Sequence, residues 1–138
     1  MALPLPNRWE QLAENISFET RAFIRGDYYQ NTEQNVFQTE NPATGTKLAV
    51  FPDSDAGVID RAVTAARYAF VQWRHLAPDQ RKLLLLTIAN QVEVERETLA
   101  LLDCLEMGMP ISMALEQVDG AAGFLRYYAE LVDKVYGD

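Results

Sequence analysis

The most constraining feature of this sequence is a leucine-rich stretch over residues 78–108. Its large apolar side chains recur at steps of three and four residues, which is the spacing of one face of an α-helix. The residues on this face are Leu84, Leu85, Ile88, Val92, Leu99 and Leu102. Leu83 and Leu86 extend the apolar surface to a second side of the same helix. The stretch therefore predicts a helix of about thirty residues with a joint near Arg96, and such a helix needs protein on two sides.

The segment over residues 23–29 has the pattern of a β-hairpin. Phe23 and Ile24 are followed by Arg25-Gly26-Asp27, where glycine supplies the positive φ that a tight turn requires. The tripeptide also spells an integrin-recognition motif, but an acidic sequence in which we find no secretory signal favours the plain hairpin turn. Before the hairpin, a short amphipathic helical turn or two is predicted from the spacing of Trp9, Leu12, Ala13 and Ile16.

Two more extended segments are predicted, over residues 36–37 and 48–51. Between them lies Asn41-Pro42-Ala43-Thr44-Gly45, where Pro42 fixes its own φ and disfavours helix at Asn41. Gly45 then releases the chain from the turn, because glycine adopts backbone conformations that other residues avoid. The pentapeptide is therefore predicted to be a turn between two strands.

After Pro52 the apolar period changes from two to near 3.6, which indicates a helix. Ser54 is predicted to cap this helix, because a serine hydroxyl can accept a hydrogen bond from a free backbone N–H of the first turn. Its apolar face is narrow and rich in alanine, and consists of Ile59, Ala62, Val63, Ala66, Phe70 and Trp73. Such a face predicts close packing against a neighbouring element.

Proline and glycine mark the ends of the leucine-rich helix. Pro78 occupies the first-turn position, where a missing N–H costs nothing, and Gly108 followed by Pro110 is a strong stop signal. A last helical pattern runs from about Asp119 to Gly137. We therefore predict a lead-in over residues 1–22, a β region over 23–51 and a helical region over 54–137, in a sequence of 138 residues, which is the length of one domain.

Composition narrows the function classes. A net charge of -8 disfavours nucleic acid and anionic membrane surfaces as partners, because both carry negative charge. The hydrophobic share of 49% and charged share of 23% are ordinary for a globular domain. A single cysteine excludes an internal disulfide, and no long apolar span is present. From these observations we predict a cytoplasmic protein.

Few residues could carry chemistry. Cys104 lies on the apolar face of a predicted helix, where burial would suppress the reactive thiolate, so inert packing is favoured over a nucleophile. His75 lies in an interhelical loop without a second histidine or a cysteine to share a metal, so a ligand role is disfavoured. The acidic residues of the long helix have the distribution of a solvated face. No glycine-rich strand-to-helix turn is present to hold a dinucleotide.

Several motifs occur in an order that resembles a known family. They are Phe23-Ile24 with a following glycine, Asn41-Pro42-Ala43-Thr44-Gly45, Asp60-Arg61-Ala62-Val63 with Ala65-Ala66-Arg67, Phe70 and Trp73-Arg74, Leu105-Glu106-Met107-Gly108-Met109-Pro110-Ile111, and Leu125-Arg126-Tyr127-Tyr128-Ala129. In order and spacing they resemble the amino-terminal segment of the aldehyde dehydrogenase superfamily, from Phe23 onward. The tryptophan-bearing lead-in and residues 133–138 most resemble the enzymes that oxidise gamma-glutamyl-gamma-aminobutyraldehyde.

The resemblance implies a function for a larger enzyme. Members of the family oxidise an aldehyde to a carboxylic acid with NAD or NADP, and their cysteine nucleophile, glutamate base, oxyanion-holding asparagine and dinucleotide-binding strands come later in sequence. We therefore predict no catalytic and no cofactor-binding residue in this chain. The implied fold class is α/β, and residues 1–138 are then the amino-terminal half of the coenzyme-binding domain, with a β-hairpin region followed by three to four helices. The main parallel sheet is then missing, which explains the excess of leucine.

The resemblance also implies two sites. Some family members bind a monovalent cation through a threonine before the Asn-Pro turn and an aspartate in the loop before the glycine, and these positions match Thr39 and Glu106. Glutamate is longer than the usual aspartate, which is a departure from the pattern. Glu116 and Gly120 match positions that line the aldehyde tunnel, and they lie four residues apart, on one face of a helix.

An alternative function is open at this stage. A truncated chain could be a non-catalytic interaction module that binds a full-length relative through its leucine-rich face. For the enzyme that the resemblance implies, the expected partners are an aldehyde substrate and either a homo-oligomer or the remainder of the enzyme. The sequence does not decide between NAD and NADP, which aldehyde is used, or whether the truncation is natural.

Overall fold

The computed structural model describes residues 7–30 and 35–134. Its helices are α1 (Arg8–Asn15), α2 (Ala56–Trp73), α3 (Pro78–Val94), α4 (Arg96–Met107) and α5 (Ile111–Leu131), and its strands are β1 (Ala22–Ile24), β2 (Asp27–Tyr29), β3 (Val36–Glu40) and β4 (Lys47–Pro52). Across the described ranges the strands form two separate antiparallel pairs, β1–β2 and β3–β4. A β region followed by four helices is the predicted arrangement, and α1 is the short helix predicted in the lead-in.

The β1–β2 hairpin turns at Arg25 and Gly26, as predicted. Both residues have positive φ, 58° and 88°, which is the backbone of the two-residue turn that matches the twist of paired strands. Across the strands, the ring of Phe23 meets that of Tyr28 edge to face, with 5.2 Å between centroids. Asp27 accepts a hydrogen bond from the backbone N–H of Tyr28. The Arg-Gly-Asp tripeptide is therefore a structural turn in this fold.

The turn between β3 and β4 is organised by Asn41. Its side-chain Oδ1 accepts a hydrogen bond from the N–H of Ala43 at 2.9 Å, and its carbonyl accepts one from Gly45 at 2.7 Å. Gly45 has a φ of +69°, a conformation that favours glycine. The rings of Phe37 and Phe51 stack across the two strands at 5.5 Å. The predicted turn and both extended segments are thus confirmed.

Two expectations for α2 were wrong. Its cap is Asp55 rather than Ser54, since the Asp55 carboxylate accepts the hydrogen bond from the N–H of Val58 at 2.8 Å. A carboxylate at this position also interacts favourably with the positive end of the helix dipole. The apolar face of α2 is not closely packed, because the main contact of α2 in the described part of the chain is with β1. Only Val58 of this helix is buried, and Ile59 and Phe70 stay more than half exposed.

The leucine-rich stretch forms α3 and α4, joined at Glu95. The backbone of Glu95, with φ -91° and ψ 13°, departs from regular helix there, so the predicted joint near Arg96 is confirmed. Both helices pack on α5. The contact is made by small residues, and Ala89, Ala100, Ala114 and Ala129 have no exposed surface. Small side chains let the helix backbones approach closely, and larger apolar residues such as Val118 fill the space around them.

The last helix begins earlier and ends earlier than predicted. It starts at Ile111 rather than near Asp119, because the buried positions Ala114 and Val118 continue the helical period back toward Pro110. Pro110, predicted only as a stop signal, also occupies the cap position before α5. At the other end the helix stops at Leu131 instead of continuing toward residue 137. The final part of the predicted pattern, residues 135–138, lies outside the described residues.

Three exposed ion pairs join α5 to its neighbours. Arg96 donates two hydrogen bonds to the carboxylate of Asp119, at 2.5 and 2.6 Å. The other pairs are Glu93–Arg126 and Lys82–Glu130. The hydrogen bond from Arg96 lowers the pKa of Asp119 below its ordinary value of 3.8. The stabilisation from this pair is therefore present above that pH and lost as the pH falls below it, although exposed pairs contribute little.

The end of α4 provides a test of this fold. Gly108 has a φ of +70°, and a Cβ added there would lie 3.0 Å from Cγ of Pro42. We expect Gly108→Ala to lower the free energy of unfolding by about 1–2 kcal/mol from backbone strain alone, with an added penalty from the proline contact. Urea unfolding followed by circular dichroism measures this change.

Gly123 is the matched control, because it lies inside α5 and a Cβ there would meet nothing within 4 Å. Gly123→Ala should be neutral or stabilising by about 0.5–1 kcal/mol, the usual preference of a helix for alanine. In a Pro42→Ala background the penalty of Gly108→Ala should shrink. An unchanged penalty in that background would show that Pro42 does not contact the end of α4.

Candidate functional site

Glu116 and Gly120 lie on the outer side of α5. Both are exposed, and they stand one helical turn apart, as predicted. The opposite side of the helix carries Ala114 and Val118, which are buried against α3 and α4. The space beside Gly120 is open in this chain, since a Cβ there would meet no heavy atom within 4 Å. The packing of the described residues therefore leaves this position free to face a ligand or another part of the protein.

The electrostatic surroundings of Glu116 differ from those of its neighbours on α5. Asp119 and Glu130 on this helix are both ion-paired with cations of α3 or α4. Glu116 faces the other way and makes no hydrogen bond or ion pair within the described ranges. Phe124, one turn beyond Gly120, is 65% exposed. Along the outer side of α5, the carboxylate of Glu116 is thus followed by the open space beside Gly120 and then by the ring of Phe124.

The two predicted cation ligands, Thr39 and Glu106, come from different elements. Thr39 lies on β3, and its Oγ1 is enclosed without a hydrogen-bond partner in the described part of the chain. Glu106 is exposed in the last turn of α4. The close approach of Pro42 to Gly108 brings the β3–β4 turn against the end of α4. A buried Thr39 hydroxyl without a hydrogen-bond partner is compatible with a bound group at this position. The cation site itself stays a prediction.

His75 and Cys104 lie in different elements of the fold. His75 is exposed after the end of α2, where its Nε2 accepts a hydrogen bond from Nε of Arg74 at 3.3 Å. Cys104 is partly buried on α4. Among residues 7–30 and 35–134, no group of three or more histidine, cysteine, aspartate and glutamate side chains could hold a metal ion. None of the described helices combines the length and apolar character needed to cross a membrane.

Comparison with known proteins identifies the class to which this fold belongs. The profile described as "Aldehyde dehydrogenase family" matches residues 28–138. This match covers most of the sequence, and the chain belongs to the aldehyde dehydrogenase family. The predicted resemblance to an amino-terminal segment of that superfamily is confirmed.

Individual relatives agree with this assignment. The NADP/NAD-dependent aldehyde dehydrogenase PuuC of Escherichia coli (strain K12) is 39% identical over 133 residues, covering 94% of this chain and 27% of that protein. A crystal structure of gamma-glutamyl-gamma-aminobutyraldehyde dehydrogenase from Burkholderia cenocepacia has a TM-score of 0.88 at 34% identity, covering 94% of this chain and 27% of its own.

A P. syringae indole-3-acetaldehyde dehydrogenase, solved as a mutant in complex with NAD+ and IAA, has the same TM-score of 0.88 at 40% identity, with coverage of 94% and 27%. The chain thus spans about a quarter of the length of the relatives it matches. The agreement of backbones over this quarter confirms the predicted fold class.

Much apolar surface stays open on α3, as predicted for a helix with more apolar residues than one buried stripe requires. On α3, Leu83, Leu84 and Ile88 form what we call the open face, and they are 65%, 44% and 50% exposed. The prediction that this helix needs protein on two sides fits the structure, because α5 covers one side and the open face has no cover in the described residues. The face of α2 described above is exposed in the same way.

The open face generates a prediction about the behaviour of the isolated chain. We expect it to self-associate or to bind a hydrophobic dye, because contiguous exposed apolar surface favours both. Replacing Leu84 and Ile88 together by glutamate should reduce dye fluorescence and sedimentation of oligomers. The matched control replaces Met107 and Met113, which are exposed on α4 and α5 and lie outside the open face. Equal loss in both double variants, or a dye-silent monomer at high concentration, would contradict the role of this face.

Proposed function

We propose that this chain is the amino-terminal part of the coenzyme-binding domain of an NAD(P)-dependent aldehyde dehydrogenase. The proposed reaction of the complete enzyme is the oxidation of an aldehyde to a carboxylic acid. The family match over residues 28–138 is the observation that supports it most strongly. The cytoplasmic location and the homo-oligomer stay predictions. The preference for gamma-glutamyl-gamma-aminobutyraldehyde also stays a prediction, because relatives of similar identity are named for other aldehydes.

We infer that the cofactor site lies outside the described residues. A dinucleotide pyrophosphate is held by a glycine-rich turn between a strand and the N-terminus of a helix. Here α2 begins after Asp55, α3 after Ala77 and α5 after Pro110, and none of these starts has that composition. Gly120 and Gly123 lie inside α5. We therefore assign cofactor binding and the catalytic steps to other parts of the complete enzyme.

The contribution that we propose for this chain is a wall of the substrate passage. Glu116 and Gly120 share the outer side of α5, which the packing on α3 and α4 leaves open. Burial of alanines on the inner side holds the helix in place, so the outer residues have a fixed position. A glycine there adds no side chain to the passage and leaves room for a long or branched aldehyde. Glu116 lies one turn away and places a negative charge along the same side.

The first test is a comparison of activities. The 138-residue chain should give no rise in absorbance at 340 nm with an aldehyde and NAD or NADP, because it offers neither nucleophile nor cofactor site. The complete protein that carries this segment should give that rise. Turnover by the 138-residue chain would refute the assignment of chemistry to other parts, and an inactive complete protein would refute the proposed function.

The second test concerns the passage. In the complete enzyme, Gly120→Met should lower kcat/KM for a bulky aldehyde roughly tenfold while sparing acetaldehyde, because the added side chain narrows the passage without touching the reacting atoms. The matched control is Ala121→Met, because Ala121 is exposed on the same helix but lies about 100° around it from Gly120. Equal losses for both aldehydes, together with reduced stability, would make Gly120 a packing residue.

The alternative is the non-catalytic interaction module, and the open face of α3 is the observation that favours it. If the chain is a module, it should bind a full-length relative. In that case no dinucleotide-binding strand or cysteine motif should be encoded in frame after Asp138. A catalytic segment should have both encoded in frame. Reading the gene beyond that codon therefore separates the two functions.

A further inference from the structure

A cleft of about 780 Å³ lies between the β1–β2 hairpin and α2. This volume is in the range of small-molecule sites, which is roughly 300–1,000 Å³. From the hairpin, Arg25, Asp27 and Tyr29 line the cleft, and from α2, Asp60, Arg61 and Tyr68 line the facing wall. Each wall thus contributes an arginine, an aspartate and at least one tyrosine, and Tyr28 of the hairpin adds a further aromatic ring. None of these residues belongs to the sites predicted from the family.

The arginines and tyrosines interact crosswise between the two walls. The guanidinium carbon of Arg25 lies 5.9 Å from the ring centroid of Tyr68, and that of Arg61 lies 5.6 Å from the ring centroid of Tyr29. Each contact joins the hairpin to α2. An attraction between a guanidinium group and an aromatic ring does not occupy the N–H groups, which stay able to donate hydrogen bonds.

These N–H groups have no protein acceptor within the ranges that the structure describes. Asp27 and Asp60 line the same cleft, yet neither forms an ion pair with Arg25 or Arg61 there. By contrast, Arg96 and other cations of the chain are paired with carboxylates. Aromatic rings therefore position the cleft arginines and leave their donors unused.

We propose that this cleft binds a planar aromatic monocarboxylate. The carboxylate would accept hydrogen bonds from Arg61 and Arg25, because a guanidinium edge matches the two oxygens of a carboxylate. The aromatic ring would pack on the tyrosine rings of the two walls. A single negative charge is favoured over a dianion, since Asp27 and Asp60 repel additional charge. The proposal is independent of the proposed oxidation of aldehydes.

The test is calorimetric titration of the 138-residue chain with 2-naphthoate as the probe. Naphthalene-2-methanol supplies the ring without the charge, and acetate supplies the charge without the ring. We expect both to bind at least about tenfold more weakly than 2-naphthoate, since each lacks one of the two interactions. The dianion 2-naphthyl phosphate should also bind more weakly. Equal affinity for 2-naphthoate and the alcohol would mean that the ring binds exposed apolar surface, and would overturn the proposal.

Variants locate the binding on the cleft. Arg61→Gln should weaken 2-naphthoate binding about tenfold, because it removes the charge and the paired donors. Arg67→Gln is the matched control, since Arg67 is exposed on the same helix and outside the cleft. Unchanged affinity in a folded Arg61→Gln variant, or an equal loss in both variants, would overturn the assignment. If Arg61→Gln fails to fold, the probe comparison with the unchanged chain still decides.

Discussion

The close contact of α5 with α3 and α4 is the interaction on which the described fold depends. Alanines without exposed surface lie along it, Ala89 and Ala100 on one side and Ala114 and Ala129 on the other. Because these side chains are small, a larger residue at any of them would push the helices apart and expose the apolar residues packed around them. The exposed ion pairs along α5 favour one relative orientation of the helices but contribute little stability.

This contact also determines which surfaces are available for function. With one side of α5 fixed in the core, Glu116 and Gly120 are held on the other side. With one side of α3 covered, its open face remains exposed, and α2 exposes a comparable apolar surface. The chain spans about a quarter of its relatives' length. In our proposal, other parts of a larger protein cover these surfaces. The cleft between α2 and the hairpin carries arginine and aspartate side chains and differs from them in chemistry.

Local sequence signals were reliable where one or two residues control the backbone. Gly26 and Gly45 adopt the positive φ expected of their turns, and Gly108 ends α4 in the same way. Signals failed where several residues compete for one role. Ser54 and Asp55 can both cap α2, and the geometry of the chain selected the aspartate. Pro110 can end one helix and precede the next, so the start of α5 was placed too late.

The sequence by itself determined the element types, the hairpin turns, the joint near Arg96 and the family resemblance, because these follow from short-range periodicity and from motifs in order. Only the tertiary structure decided which apolar faces are covered, since burial depends on neighbours distant in the chain. The face of α2 has the same pattern as a core helix, yet Phe70 stays exposed. The crosswise contacts of Arg25 and Arg61 likewise join residues far apart in sequence, and no periodicity indicates them.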